Sequence, residues 1–337
     1  MPVMTPPSSK ISSPRALWML EYTEPIQLGM KAEGGMVTSL MDYCLTVAGD
    51  AALDPEHAVI VFSGEVAESV RDRLPAGSYR DKFDLARGDG MMGAKAMRVD
   101  DEVHIVFPAF LLWDSGWLRS VDPIDEQGFI ANAAARKQYA KRLAIHESGH
   151  VATFQAREES EEFSGEPLAR RKLLHTAQQI IDEYRAELDV PQSLMEEWDA
   201  QLSVESVTAL RTYVKAAAAE VPRNRNHDQL GQTIVDQAQN LWKVLACLAA
   251  VRRTTGVPLG EPFPDEVTAT IEWTEMLSAH WHEFEGFLSE TPSSRTRMTT
   301  RSLKARAEGL ADLLDGWLVT FGFVWRDAGG STQLSLR

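Results

Sequence analysis

The sequence predicts an α+β protein that is mostly helical, with a small antiparallel sheet in its N-terminal portion and a helical C-terminal portion. Three observations support this fold class. A β-branched run from Ala58 to Ser63 is typical of a buried strand, and residues 96–107 have the pattern of a hairpin. After Pro167, apolar residues recur at helical spacing over most of the chain. The length of 337 residues suffices for one large or two moderate domains.

Composition and charge limit the class of protein. Apolar residues make up 44% of the chain and charged residues 25%, which is ordinary for a soluble globular protein. The formal net charge is −15, whereas binding to nucleic acids or anionic membranes requires clustered positive charge, so we expect neither partner. The sequence has no signal segment and no long apolar run, and its two cysteines favour free thiols. We therefore expect a cytoplasmic protein.

Helical and strand patterns alternate in the N-terminal half. Helices are predicted for Met36 to Ala48 and for Glu65 to Leu74. In the hairpin, strands Ala96 to Val99 and Val103 to Phe107 alternate with period two, which puts His104 on the face opposite its apolar neighbours. Two interpretations of the hairpin stay open. It can offer an edge for an extended substrate, or it can be purely structural.

The C-terminal portion is predicted to consist of amphipathic helices. Pro167 opens a helix of about twenty residues, because proline suits a first turn, and Pro191 ends it. Asn226 and its neighbours are expected to cap a later helix. The further helical segments are predicted at Leu194 to Ala219, Gln229 to Val251, Asp265 to Leu288 and Thr299 to Phe321.

The residues best suited to chemistry lie in Lys141 to Gln155, KRLAIHESGHVATFQ, which is predicted to be helical. His146 and His150 are four residues apart, so a helix presents both imidazoles on one face, close enough to bind one metal ion. Glu147 projects beside them, where a carboxylate can take a proton from water. Two neutral imidazoles suit Zn²⁺, which lowers the pKa of a bound water to about 7. Gly149 is unfavourable within a helix and predicts the close approach of another backbone.

A catalytic zinc site needs a third protein ligand. The metzincin extension requires histidine where this chain has Ala156, so that class is excluded. Glu183 borders the apolar stripe of the helix after Pro167, where a carboxylate is costly unless it is paired or coordinated, and it is the favoured ligand. Glu187, one turn further, is placed to accept from the far nitrogen of a ligand histidine. The other candidates for the third ligand are Glu187 itself, Asp182, Glu166 and His175.

Hydrolysis at such a site also needs a hydrogen-bond donor near the oxygen that becomes negative in the transition state. No residue stands out for this role, and Tyr184 lies on an apolar stripe, which favours a core position. The candidates are Tyr184, His175, Tyr139 and Arg185. A second metal site at His280 and His282 is not expected, because residues two apart on a helix point to different sides.

The HESGH motif followed by the EYRAE segment around Glu183 resembles the gluzincin branch of zinc metallopeptidases, which combine H-E-x-x-H with a downstream glutamate. The order of a strand hairpin, an HExGH helix, and a helix bearing E-x-x-A before a nearby proline is similar to the ImmA/IrrE group. The resemblance covers Ala96 to Pro191. It implies that His146, His150 and Glu183 are zinc ligands and that Glu147 is the catalytic base.

The sequence thus predicts a division of the chain and a function. We expect a disordered segment at residues 1–15, a zincin-like metallopeptidase domain at 16–191, a helical domain at 192–327 and a flexible tail at 328–337. The expected activity is that of a zinc peptidase, in which Glu147 deprotonates a zinc-bound water that attacks a carbonyl of a protein or peptide substrate. The alternative is a non-catalytic binding or regulatory protein on a zincin scaffold, acting through its helical C-terminal half.

Overall fold

A computed structural model of the protein describes residues 14–24, 38–81, 83–87, 90–91, 93–112, 133–158, 163–195, 199–220, 226–328 and 331–336. Within these ranges the chain is mostly helical and contains a four-stranded sheet and two two-stranded ones. The prediction of a mostly helical protein with a small sheet is therefore confirmed. No helix in the described ranges combines the length and the apolar character that crossing a bilayer would require. The segment expected to be disordered, residues 1–15, lies outside the described residues except for its last two positions.

The four-stranded sheet is formed by β1 (Leu17–Glu21), β2 (Ala58–Ser63), β3 (Lys95–Val99) and β4 (Glu102–Pro108), in the order β1-β2-β4-β3. Strands β3 and β4 are antiparallel, as the hairpin prediction requires. Strand β2, however, pairs in parallel with both β1 and β4. The prediction of an antiparallel sheet is therefore wrong, and the sheet is mixed.

Long connections explain the parallel pairs. A parallel pair needs a crossover of about a dozen residues or more, usually with a helix. Helix α1 (Thr38–Ala51) lies between β1 and β2, and helix α2 (Val66–Arg73) lies between β2 and the hairpin. Both helices occupy segments predicted to be helical.

Strand β1 ends the sheet within the described part of the chain. The sequence does not predict this strand, because the residues LWMLE lack a period-two alternation. Its apolar side chains are exposed on both faces of the sheet: Leu17 is 50% exposed and Trp18 is 52% exposed. The sheet therefore ends in an apolar strand that the described residues leave open to solvent.

The two faces of the sheet pack against different helices. One face contacts α1 and helix α3 (Ala133–Gln155) through Val103, Ile105 and Phe107, and the other contacts α2. Residues on the second face include Val59, Val61, Met97 and Val106. The alternation predicted for the hairpin is therefore confirmed.

His104 lies on the face of the sheet that packs against α2 and is 6% exposed. The Nε atom of Arg73 donates to Nδ1 of His104 at 3.0 Å, so the proton of the ring lies on Nε2. Nε2 donates in turn to Glu102 Oε2 at 2.8 Å. The buried polar groups of His104 are therefore satisfied within the protein, which indicates a structural role.

The C-terminal helices share one hydrophobic cluster, and helix α4 (Leu168–Glu187) belongs to it. The other long helices of this cluster are α5 (Asp199–Glu220), α6 (His227–Thr254), α7 (Ser278–Ser289) and α8 (Thr300–Thr320). Asn226 Oδ1 accepts from the backbone N–H of Gln229, so the predicted cap of α6 is confirmed. The short helical elements are Pro55–His57, Ser78–Asp81, Ala109–Leu112, Gln192–Leu194, Asp265–Thr268 and the π-helical turn Trp273–Leu277.

The C-terminal end forms a hairpin of β5 (Phe323–Ala328) and β6 (Ser331–Leu336), where the sequence predicts a flexible tail at 328–337. Phe323 and Trp325, on the first strand of this hairpin, are both buried in the helical cluster. The indole of Trp325 fills the space that a side chain at Gly231 would occupy, with ring atoms 2.5 Å from an added Cβ. A tertiary contact therefore holds this hairpin. The other small antiparallel pair is Ala86–Arg87 with Gly90–Met91.

A buried ion pair joins the loop after α3 to helix α4, and both of its side chains also bond to the backbone of the segment before α8. Arg185 is 0% exposed, and its Nη1 donates to Glu158 Oε2 at 2.6 Å. Glu158 Oε1 accepts from the backbone N–H of Met298, and Arg185 Nη2 donates to the carbonyl of Thr296. One charged pair thus connects three segments of the chain in the interior.

We predict that Glu158→Gln destabilises the protein by about 3–5 kcal/mol, because the change leaves the buried guanidinium of Arg185 without its counter-charge. The matched control is Asp312→Asn, which removes a carboxylate that is 71% exposed and pairs with Arg170. That change should cost at most about 1 kcal/mol. Denaturant unfolding of both variants measures the difference, and equal losses of stability would contradict the prediction.

Candidate metal centre

Helices α3 and α4 bring the motif residues together. Gly149 on α3 faces Ala186 on α4, and a Cβ added at Gly149 would lie 2.8 Å from the Cα atom of Ala186. Real Cβ atoms do not approach a backbone so closely, so only glycine permits this packing. The close approach predicted from Gly149 is therefore confirmed. It places the side chains of His146 and His150 beside Glu183.

Three donor atoms converge between the two helices. His146 Nε2 lies 3.3 Å from His150 Nε2 and 3.2 Å from Glu183 Oε2, and the third separation, from His150 Nε2 to Glu183 Oε2, is 3.7 Å. A tetrahedral zinc ion with bonds of about 2.0–2.1 Å separates its ligand atoms by about 3.3 Å. The three atoms therefore already have the spacing that a single tetrahedral cation requires. Among the described residues, this is the group of His, Cys, Asp and Glu side chains that could hold a metal ion.

Hydrogen bonding fixes the tautomer of His146. Its Nδ1 lies 2.8 Å from Glu187 Oε2, and an ionised carboxylate can only accept, so Nδ1 carries a proton. In the neutral ring, the lone pair of Nε2 then points at Glu183 Oε2. Two acceptors face each other at this distance only when a proton or a metal cation lies between them. The arrangement therefore favours a positive charge, from a proton or a metal cation, between His146 Nε2 and Glu183 Oε2.

The ionisation of His146 reflects the same demand for positive charge. Burial on its own would lower the pKa of His146, but hydrogen bonds to Glu183 and Glu187, together with their charges, raise the pKa well above its usual value. Without a metal, a second proton on the ring of His146 supplies this positive charge. A divalent cation would replace this proton, because the ligand form of histidine is neutral.

Glu183 divides its two oxygens between different partners. Burial would raise its pKa, but the charge of Lys243 and hydrogen bonds from His146 and His150 hold the pKa well below its usual value. Lys243 Nζ donates to Oε1 at 2.7 Å, while Oε2 faces the two imidazoles. Glu183 is therefore an ionised carboxylate with one oxygen directed at the converging nitrogens.

Glu187 lies behind His146 and is 3% exposed. Its Oε2 accepts from His146 Nδ1, and its Oε1 accepts from Arg142 Nη2 at 2.8 Å. Burial would raise the pKa of Glu187, but the hydrogen bond and charge of His146, and then the charge of Arg142, lower it. A carboxylate in this position fixes the ring of a ligand histidine and raises its basicity.

Glu147 lies at the edge of the sheet and is 6% exposed. Its Oε2 accepts from the backbone N–H of Ala96 on β3 at 2.7 Å. Ala96 is paired with Ile105 across the hairpin. Because the N–H of Ala96 donates to Glu147, it points away from the partner strand β4. The outer edge of β3 is therefore turned toward α3, next to the residue that follows His146.

Two of the four candidate transition-state donors, Tyr184 and His175, have other partners in the structure. Tyr184 is 1% exposed, and its hydroxyl accepts from Arg253 Nη1 at 3.1 Å within the helical cluster. His175 packs edge-on against Phe163, and burial lowers its pKa. It lies about 12 Å before Glu183 along the axis of α4. These contacts favour structural roles for Tyr184 and His175.

The other candidates for the third ligand are also accounted for. Burial raises the pKa of Asp182 to about 8, and the group of converging ligand atoms consists of His146, His150 and Glu183, without Asp182. Glu166 is exposed and lies in the turn before α4. Of the candidates on α4, Glu183 is the one whose oxygen meets both imidazoles.

Two residues of the site are not predicted from the sequence. Lys243 comes from α6, sixty positions after Glu183, so no local spacing connects the two. Arg142 precedes His146 by one helical turn, and this spacing is a signal that could have indicated its proximity. Both cations reach a carboxylate that in turn contacts His146.

No protein-family model matches this chain, and neither a curated protein nor a solved structure is similar enough to it to count as a match. The candidate metal centre is therefore defined by the geometry and chemistry of the chain's own residues alone.

We predict that Gly149→Ala destabilises the protein by about 1–3 kcal/mol, because the added methyl group forces α3 and α4 apart at Ala186. The control is Gly316→Ala on the exposed face of α8, where nothing lies within 4 Å of an added Cβ. Alanine there should stabilise the protein by up to about 1 kcal/mol. Thermal unfolding in the presence of a chelator compares the two variants. Equal stabilisation by both changes would show that the helices do not touch at Gly149.

Proposed function

We propose that the protein is a zinc-dependent peptidase whose N-terminal portion is a zincin-like domain. The observation that carries the proposal is the convergence of two imidazole nitrogens and one carboxylate oxygen at the spacing of a tetrahedral cation. Structural zinc sites are usually closed by four protein ligands, often thiolates, whereas two histidines and one glutamate leave a coordination position for water. The donor set is thus typical of a catalytic centre.

The residues present fit zinc in chemistry as well as in spacing. His146, His150 and Glu183 would hold the ion, and Glu187 would orient the ring of His146. Zinc bound there would supply Lewis acidity, which polarises a carbonyl group and acidifies water. The neutral tautomer of His146, with its lone pair on Nε2, is the form that a metal ligand needs.

Glu147 is the proposed general base. Its carboxylate takes a proton from water as the water oxygen forms a bond to the carbonyl carbon of the substrate. The same proton then passes to the amine nitrogen as the carbon–nitrogen bond breaks. The N–H of Ala96 holds Oε2 of Glu147, so the carboxylate has a fixed orientation and its second oxygen exchanges the proton.

The proposed substrate is a protein or peptide segment in extended form beside β3. An edge strand offers backbone hydrogen bonds to such a segment. The side chain of Arg98 donates to the carbonyl of Phe154 near the end of α3, so this contact closes one end of the edge. The proposed enzyme acts in the cytoplasm.

One observation favours a second function. The carboxylates of the site already have cationic partners from the protein, because Lys243 pairs with Glu183 and Arg142 pairs with Glu187. A buried network of this kind can join α3 to α4 and α6 without a metal ion. The alternative is therefore a non-catalytic binding or regulatory protein on a zincin scaffold, which acts through its helical C-terminal half.

We predict that the purified protein binds one zinc ion per chain and that His146→Ala abolishes this binding, since it removes the central ligand. Glu147→Gln should keep the zinc and reduce peptide cleavage by at least about 100-fold, because it removes the general base. Metal analysis after dialysis measures the zinc, and mass spectrometry of a peptide library measures the cleavage.

His57→Ala is the matched control, because His57 is exposed and pairs with Asp54 at the surface. It should change neither zinc content nor cleavage. Wild-type protein without zinc would refute the proposed function. Bound zinc without cleavage of any peptide would instead favour the binding or regulatory protein.

A further inference from the structure

Lys243 contacts the candidate ligand Glu183 from the C-terminal helical portion. Its Nζ lies 2.7 Å from Glu183 Oε1, while Glu183 Oε2 lies 3.2 Å from His146 Nε2. The pair is partly shielded from solvent, with the side chain of Lys243 29% exposed and that of Glu183 21% exposed. The lysine thus approaches the carboxylate on the oxygen that does not face the imidazoles.

We propose that Lys243 is a positioning residue that restricts Glu183 to binding the metal through a single oxygen. This inference rests on the proposed function, since it concerns the same zinc site. A carboxylate that binds a cation through both oxygens must turn both of them toward it. Glu183 can do so only by breaking its charge-assisted hydrogen bond to Lys243, which is about twice as strong as a neutral one.

The restriction matters for the number of coordination positions. Two imidazole nitrogens and one carboxylate oxygen supply three ligand atoms, which leaves a fourth position of a tetrahedral site for water. A second oxygen from Glu183 would occupy that position or expand the coordination to five. By holding Glu183 Oε1, Lys243 would therefore leave one coordination position of a bound metal free for water.

The two oxygens of Glu187 also bond to different partners, as those of Glu183 do. Its Oε1 accepts from Arg142, and its Oε2 accepts from His146. Each of the two carboxylates around His146 therefore gives one oxygen to the imidazole side and one to a cation. The repetition indicates that the cations orient both carboxylates and do more than balance charge.

A second lysine pair joins the same two helices and offers a comparison. Lys172 on α4 contacts Asp236 on α6, with the lysine side chain 25% exposed. Either pair is lost when its lysine is replaced by methionine, and the change in charge is the same. Only the pair of Lys243 includes a candidate metal ligand, so the two substitutions separate positioning of Glu183 from general linkage of α4 and α6.

The test uses cobalt(II) in place of zinc, because the visible spectrum of cobalt(II) reports its coordination number. Wild-type protein should give the intense bands of a four-coordinate site. Lys243→Met should give a severalfold loss of intensity, as five-coordinate cobalt does, with metal still bound at one ion per chain. Lys243→Arg should restore the wild-type spectrum, and Lys172→Met should leave it unchanged. Circular dichroism checks that each variant is folded, and Lys243→Ala repeats the test with a second substitution.

The outcomes separate the inference from the function on which it rests. A Lys243→Met spectrum identical to that of the wild type overturns the inference alone. Equal spectral changes in Lys172→Met and Lys243→Met also overturn it, because the loss of any ion pair between α4 and α6 would then explain the effect. Wild-type protein that binds neither zinc nor cobalt overturns the proposed function, and the inference with it.

Discussion

The contact between Gly149 and Ala186 is the constraint on which the site depends. Because Gly149 has no side chain, α3 and α4 pack closely enough for imidazoles on one helix to meet carboxylates on the other. Helical spacing then determines the rest. His146 and His150 follow each other by one turn on α3, and Glu183 and Glu187 do so on α4, so two pairs of side chains face one another.

The site also joins two hydrophobic clusters. Helix α3 packs with the sheet, whereas α4 packs with the C-terminal helices. Burying a charged side chain between two clusters costs free energy of folding unless an opposite charge lies beside it. Here the charges alternate in sign along the network, in the order Lys243, Glu183, His146, Glu187 and Arg142. The network therefore holds the two clusters in one relative position, with or without a bound cation.

The parts of the fold that local patterns determine could be predicted from the sequence. Strand β2 and the β3–β4 hairpin follow from β-branched runs and alternation, and the position of His146 and His150 follows from helical spacing. Glu183 can be predicted as a ligand because it borders the apolar stripe of α4. The parallel pairing of β1, the docking of Trp325 and the contact of Lys243 depend on residues far apart in sequence. No window of local sequence contains them.

The exposed strand β1 has a consequence for the behaviour of the protein in solution. An apolar edge that shows unpaired backbone groups is a template on which a second molecule can dock. Leu17 and Trp18 supply such an edge within the described part of the chain. The net charge of −15 keeps molecules apart, but dissolved salt screens this repulsion and leaves the apolar attraction intact. Solubility should therefore fall as ionic strength rises, and dilute, low-salt buffers should keep the chains apart.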